Sequence, residues 1–337
     1  MKIFLCIAIS FIFPGILIIV PACSPHKDRI YRENRILMST VVTITVVAAS
    51  EHAAGDAMEQ AFSAIGELEE RLDFHSPVSE ISRINKSAGV SGVKVSSEVM
   101  ELIGKALSVS EKTHGAFDIT TAPVTKLYDF QNRRKPHDET LMRTLPLVSY
   151  RDVVINSAES TVYLRKPGMM IDLGGIAKGY AADRAADTLK QRGIASGIVA
   201  IAGDIKTFGR RPDGKLWKVG IRNSRATGPE DEIMATVELA DAAISTSGDY
   251  ERFFTSDSVR YHHILSPITG RPAGMCRSST VIAPKGVLAD SFSTAVFVLG
   301  PESGLRILEE SGYGGVLVDS RGTVHITPAL RGKIEFH

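Results

Sequence analysis

Residues 171–190, IDLGGIAKGYAADRAADTLK, place a carboxylate (Asp172), three glycines and a cation (Lys178) at the mouth of a helix. Glycines let a backbone approach a phosphate closely, and free N–H groups at a helix start favour an anion. Lys178 would neutralise further phosphate charge. The spacing matches neither the dinucleotide G-x-G-x-x-G nor the phosphate-cradling G-x-x-x-x-G-K-[ST]. Taken alone, the stretch supports a tight strand-to-helix turn as well as it supports an anion site. Asp172 adds that a cation, or a contact to a sugar or base, would share such a site.

Other stretches carry comparable chemistry. LADSFSTAVFVLG (288–300) sets Asp290, Ser293 and Thr294 at i, i+3 and i+4, one face of a helix, with the oxygen donors a hard cation such as Mg²⁺ prefers. RYHHILSPITGRPA (260–273) carries His262 and His263 ahead of a turn, and HGAFDITTAP (114–123) puts Phe117 and Asp118 in a glycine-led loop. AIAGDIKTFG (200–209) follows an apolar strand with Gly203-Asp204, and AISTSGDYERFF (243–254) combines small hydroxyls, a glycine, an acid and aromatics. Each has a plain structural alternative: Asp290 as a helix cap, the serines as small packing residues, either histidine as an ordinary strand residue. Their joint occurrence is the stronger signal.

The elements that must position them are mixed. MSTVVTITVVA (38–48) is rich in β-branched residues and reads as a strand. Residues 53–74 bring Met58, Phe62, Ile65, Leu68 and Leu72 to one helical face, and 96–113 form a second amphipathic helix opened by serine caps. Strands are expected at 152–156, 161–165, 197–201, 216–222, 234–239 and 242–246, helices at 287–298 and 301–311, and a closing hairpin over 314–327. Strands and helices do not alternate regularly, so the pattern argues for an α+β fold over a doubly wound parallel sheet.

The 337 residues include 39 basic and 38 acidic ones, a formal charge of +1 spread along the chain, which argues against a nucleic-acid binder. The basic cluster QNRRKPHDE (131–139) reads as a solvated loop. There is no repeat at a period of ~20–50 residues. The N-terminus has the layout of a secretory signal: an early Lys2, an apolar run, then Val20-Pro21-Ala22-Cys23. Those four residues resemble a bacterial lipobox, although Pro21 is uncommon at its place. Residues 1–22 are read as a lipoprotein signal peptide, Cys23 as the acylated residue and 23–35 as a tether. A plain membrane anchor is the alternative. Ser24 is compatible with outer-membrane sorting, so the expected location is the periplasmic side of a bacterial membrane. The remaining cysteine outside the signal, Cys276, reads as a small buried residue.

In order, MST (38–40), SEISRIN (79–85), GAFDIT, IDLGGIAKGYAADRA, STSGDYERFF, HHILSPITGRP and LADSFSTAVFVLG resemble the successive motifs of the ApbE family, over about 36–330. These are flavin transferases that move FMN from FAD onto a threonine or serine of a target protein. The resemblance implies an ApbE-like fold, a mostly antiparallel sheet packed with helices, with FAD as substrate bound in a cleft. Met38, Ala116, Phe117, Asp118, Asp172, Lys178 and Ile264 would line the FAD site, with His75 on the flavin side where the family often has an aromatic. Gly175 would offer its carbonyl to Mg²⁺, with Asp290 and Thr294 as side-chain ligands and Ser293 close by. His263 would be the general base. The implied partners are flavoprotein subunits of electron-transport complexes and, through the lipid, a membrane.

Three motifs depart from the family pattern. Its N-A-G-G-D run is Ala200-Ile201-Ala202-Gly203-Asp204, its M-G-T is Met38-Ser39-Thr40, and the acid of D-P-x-T-G is Ser266. None removes an expected metal ligand. Three functions remain open to the sequence: FMN transfer to protein, Mg²⁺-dependent FAD hydrolysis to FMN and AMP, and flavin binding without turnover.

Overall fold

The computed structural model describes residues 28–226, 228, 232–256 and 258–337. The expected signal peptide (1–22) and lipidation residue Cys23 lie outside the described residues. Among the described residues, no helix is long and apolar enough to cross a membrane.

An eight-stranded sheet organises the molecule. Its strands are β1 (Arg29–Leu37), β2 (Thr40–Ala48), β3 (Ser196–Ile201), β4 (Asp204–Phe208), β5 (Ala243–Gly248), β6 (Cys276–Ala283), β7 (Gly314–Asp319) and β8 (Val324–Ile326). Their order across the sheet is their order along the chain. Every neighbouring pair is antiparallel. The α+β expectation therefore holds.

One face carries α1 (Glu51–Leu72), α3 (Ala177–Gln191) and α4 (Gly286–Glu310), which with α2 (Ser97–Lys112) close the main apolar core. The serine cap expected for α2 is present, Ser96 accepting from the Val99 amide at 3.3 Å, and Ser50 caps α1 in the same way, accepting from the Ala53 amide at 3.2 Å. The opposite face packs against a three-stranded sheet of 217–222, 233–239 and 334–336. The two helices expected at 287–298 and 301–311 are both present within α4, meeting at a break at Gly300 (φ 79°), where Pro301 follows and the helical ladder is interrupted.

The expected domain bounds need correction at both ends. Residues 29–35, expected as tether, are most of β1, paired with β2 along its whole length. Ile334–Phe336, beyond the expected end at 330, completes the three-stranded sheet. Cys276 is buried, and burial pushes its thiol up to about 12, so it is an inert core residue as expected.

Candidate active site

Strand pairing sets the site's location. Val42 lies opposite Ile201, so the β1–β2 turn at 38–39 and the β3–β4 turn at 202–203 emerge side by side at one end of the sheet. The C-terminal half of β5 ends there too, since Ala243 and Ile244 already face Lys206 and Ile205 of β4. Alternation along β5 turns Ser245 and Ser247 toward α4. There Ser247 Oγ meets Ser293 Oγ at 2.8 Å and Thr294 Oγ1 at 3.2 Å.

The glycine-rich stretch acts at three scales. Asp172 Oδ1 accepts from the Gly174 amide at 2.9 Å and forms the local turn. Gly175 packs where a Cβ would stand 3.2 Å from the Phe117 ring and 3.5 Å from Thr294 Oγ1. Gly179 lets α3 and α4 touch, because a Cβ there would lie 2.1 Å from the Gly286 carbonyl oxygen. The same crossing is stitched by two carboxylates. Asp183 of α3 accepts from the Gly286 and Val287 amides of α4 at 2.8 and 3.1 Å. Asp290 of α4 accepts from the Gly179 amide of α3 at 2.9 Å. Asp290 is therefore a cap, but of the neighbouring helix.

These elements enclose a cleft of 520 Å³, within the usual range for small-molecule sites. Of the FAD-site, metal-site and base residues that the resemblance implies, Met38, Ala116, Phe117, Asp118, Asp172, Gly175, Lys178, His263, Ile264, Asp290 and Thr294 all line it. Two do not. His75 is exposed just past the end of α1, its backbone amide bonded to Asp73 and its ring edge-on to Phe74 at 5.4 Å. Ser293 is fully buried behind the wall, donating to the Asp290 carbonyl at 2.8 Å. Asp118 lines the cleft with its carboxylate already engaged by the Thr120 amide and hydroxyl and the Tyr150 amide, at 2.8, 2.6 and 2.9 Å. Its role is to hold the loop.

The residue underread in the sequence is Asp204. It pairs with Lys178 and accepts from the Ser245 hydroxyl. The Gly-Asp step after an apolar strand was its signal, but the partner lies 26 residues away and becomes visible only in the fold. Glu251 and Arg252 also line the cleft.

The electrostatics are uneven. Burial works against the Lys178 ammonium, yet the carboxylates of Asp204 and Asp290 outweigh it and hold its pKa above the ordinary value. Burial, reinforced by Asp204, pushes Asp290 up to about 7. Two buried carboxylates thus share one lysine. Burial also drives His263 down to about 4, with help from the charge on Arg252, so its imidazole is neutral near pH 7. Its Nδ1 stands 3.4 Å from the Arg252 carbonyl; with the hydrogen assigned to Nδ1, Nε2 is the nitrogen carrying the lone pair. His262 is the strand histidine: buried, with Nε2 2.9 Å from the Ala273 carbonyl.

Among the described residues no cluster of three His, Cys, Asp or Glu side chains could hold a metal. What the cleft does offer is a carboxylate in need of positive charge (Asp290), a hydroxyl (Thr294) and an adjacent glycine backbone (Gly175). Such an all-oxygen set suits a hard cation and would leave part of its shell to water or substrate.

Residues 38–317 match the ApbE family. The chain belongs to that family. An FAD:protein FMN transferase of Treponema pallidum is 33% identical over 304 residues, covering 84% of this chain and 83% of that protein. One of Klebsiella pneumoniae is 30% identical over 286 residues, covering 84% and 87%. The crystal structure of the ApbE protein of Thermotoga maritima superposes with a TM-score of 0.85 at 30% identity, over 90% of this chain and 99% of that one. The apo form of the Pseudomonas stutzeri flavinyl transferase ApbE gives 0.80 at 29%, over 91% and 97%. The match to the ApbE structure covers 90% of this chain, and the motifs quoted from the sequence, SEISRIN apart, all contribute residues to the cleft. This chain is a transferase of that family.

Proposed function

We propose that the protein transfers the FMN half of FAD to a serine or threonine hydroxyl of a target protein and releases AMP. Flavin transfer itself follows from the family. The observation that carries the finer reading is the convergence, in one cleft, of the Asp290–Thr294–Gly175 oxygens, the Lys178–Asp204 pair and a neutral His263.

In the reaction the acceptor oxygen forms a bond to the FMN-side phosphorus, the bond from that phosphorus to the bridging oxygen breaks, and AMP departs. Negative charge spreads over the phosphoryl oxygens, so preorganised positive charge is the main help a protein can give. Lys178 supplies it, its ammonium fixed by Asp204, which Ser245 fixes in turn. Asp290, Thr294 and the Gly175 carbonyl would hold Mg²⁺, which when bound neutralises the diphosphate. A threonine hydroxyl is a poor nucleophile near neutral pH; Nε2 of His263 takes its proton as the new bond forms. Phe117 and Ile264 give the cleft apolar wall for the planar part of the substrate.

The N-terminal layout supports a lipid-anchored protein on the periplasmic side of the membrane, with flavoprotein subunits of electron-transport complexes as acceptors. The test incubates the chain lacking residues 1–23 with FAD, Mg²⁺ and such a subunit, and follows acceptor mass and released nucleotides together. An acceptor heavier by one FMN, lost without Mg²⁺ or in His263→Ala, is the expected result. Free FMN and AMP with unmodified acceptor would make the protein an FAD pyrophosphatase. FAD bound but unchanged would leave a flavin carrier.

A further inference from the structure

Three non-glycine residues with left-handed backbone line the cleft together. The β1–β2 turn has Met38 at φ 52° and Ser39 at φ 57°, and the β3–β4 turn has Ala202 at φ 51°. The turns are neighbours, and the Ala202 amide donates to the Val41 carbonyl at 3.2 Å, tying one to the other. Two-residue hairpin turns with positive φ favour glycine or asparagine, and a side chain in that region carries a steric cost. Ser39 and Ala202 are also two of the positions at which this chain departs from the ApbE pattern, a glycine being the usual residue at each.

Nothing in the packing calls for either side chain. Both residues are exposed, and among the described residues the Ser39 hydroxyl bonds to no protein group. Backbone strain retained at a cleft without a packing return points toward the ligand. We propose that Ser39 and Ala202 form a recognition rim in which the Ser39 hydroxyl hydrogen-bonds a polar atom of the bound dinucleotide. Ala202 restricts the adjoining turn, so the rim is already shaped before the ligand arrives. A glycine turn would be less strained and less selective. This rests on the reading of the cleft as the FAD site.

The experiment uses the full-length protein in detergent with FAD as the probe, measuring Kd by quenching of flavin fluorescence and Tm by thermal unfolding. Ser39→Gly raises Kd about five-fold, one hydrogen bond's worth, while raising Tm by about 2 °C as the turn relaxes. Ser39→Ala keeps the strain and loses the hydroxyl, so Kd rises equally with Tm unchanged. Ala202→Gly weakens FAD about two-fold through lost preorganisation. Equal Kd for wild type and both Ser39 variants overturns the rim while leaving the FAD site intact. An unmoved Tm in Ser39→Gly overturns it as well, because the turn is then unstrained. A wild-type protein that does not bind FAD overturns the rim and the transferase reading together.

Discussion

Where α3 crosses α4, each helix lends a carboxylate to the first turn of the other. Asp183 faces the closed side of the crossing. Burial raises its pKa, but the Gly286 and Val287 amides and the charges of Lys206 and Lys285 work the other way. Lys206 is itself buried and donates to the Pro284 carbonyl at 2.7 Å, so cations surround this cap. Asp290 faces the cleft. Its extra neighbour is another carboxylate, Asp204, and the one lysine nearby is already paired. The same capping device is thus charge-balanced on one side and left short of positive charge on the other. A buried carboxylate in surplus is a poor contributor to stability and a good place to bind a cation.

Separating the two caps by mutation gives the sharpest contrast. Asp290→Asn keeps an acceptor for the Gly179 amide and removes the charge, so FMN transfer falls about 10³-fold while Tm holds or rises. A mass-shift assay on the acceptor beside a melting curve checks both halves, and a parallel loss of Tm would make Asp290 no different from Asp183. Gly179→Ala strikes both caps at once by driving a methyl into the Gly286 carbonyl, and lowers unfolding free energy by about 3 kcal/mol in a denaturant titration. Asp183→Ala strands two amides and leaves Lys206 without its nearby carboxylate. It costs about 2 kcal/mol in the same titration, while the folded fraction transfers FMN within about two-fold of wild type.

The smallest effect is in pH. His263 has its pKa lowered in the folded chain, from 6.5 to about 4, so its contribution to stability is present above 6.5 and is lost as pH falls through 4. At saturating Mg²⁺, which keeps Asp290 ionised, the activity counterpart is a kcat/KM plateau that extends down to about pH 5. An acid limb centred near 6.5 would instead show a solvated histidine.

The closed side of the crossing was the less legible in the sequence. Helices with a wide apolar stripe announce themselves, as residues 53–74 and 96–113 do, and so do strands buried on one face, such as 196–201 and 243–248. β1 hid because an edge strand is half solvated: RIYRENRIL has arginines and a glutamate where a central strand would have valines. The hairpin at 253–262 hid for a similar reason, standing apart from the large sheet. In the site, residue types set the chemistry and the fold set the partners. The plain alternative for Asp290, a cap of its own helix, gives way to a cap of α3. Ser293 shares the helical face of Thr294 by spacing, yet β5 covers it. The resemblance alone puts His75 on the flavin side, and it stands exposed just past α1, outside the residues that line the cleft.

The eight strands lie side by side in chain order, yet long excursions separate some neighbours: β2 ends at 48 and β3 begins at 196. The cleft draws on turns and helices from residue 38 to residue 294. Contacts that distant form only after large loops close, which makes assembly slow relative to a local fold of the same size. Growing from its N-terminus, the chain acquires the Lys178–Asp204 pair first and remains without Asp290 until α4 docks. The cleft is therefore complete only late in assembly, once α4 has closed it.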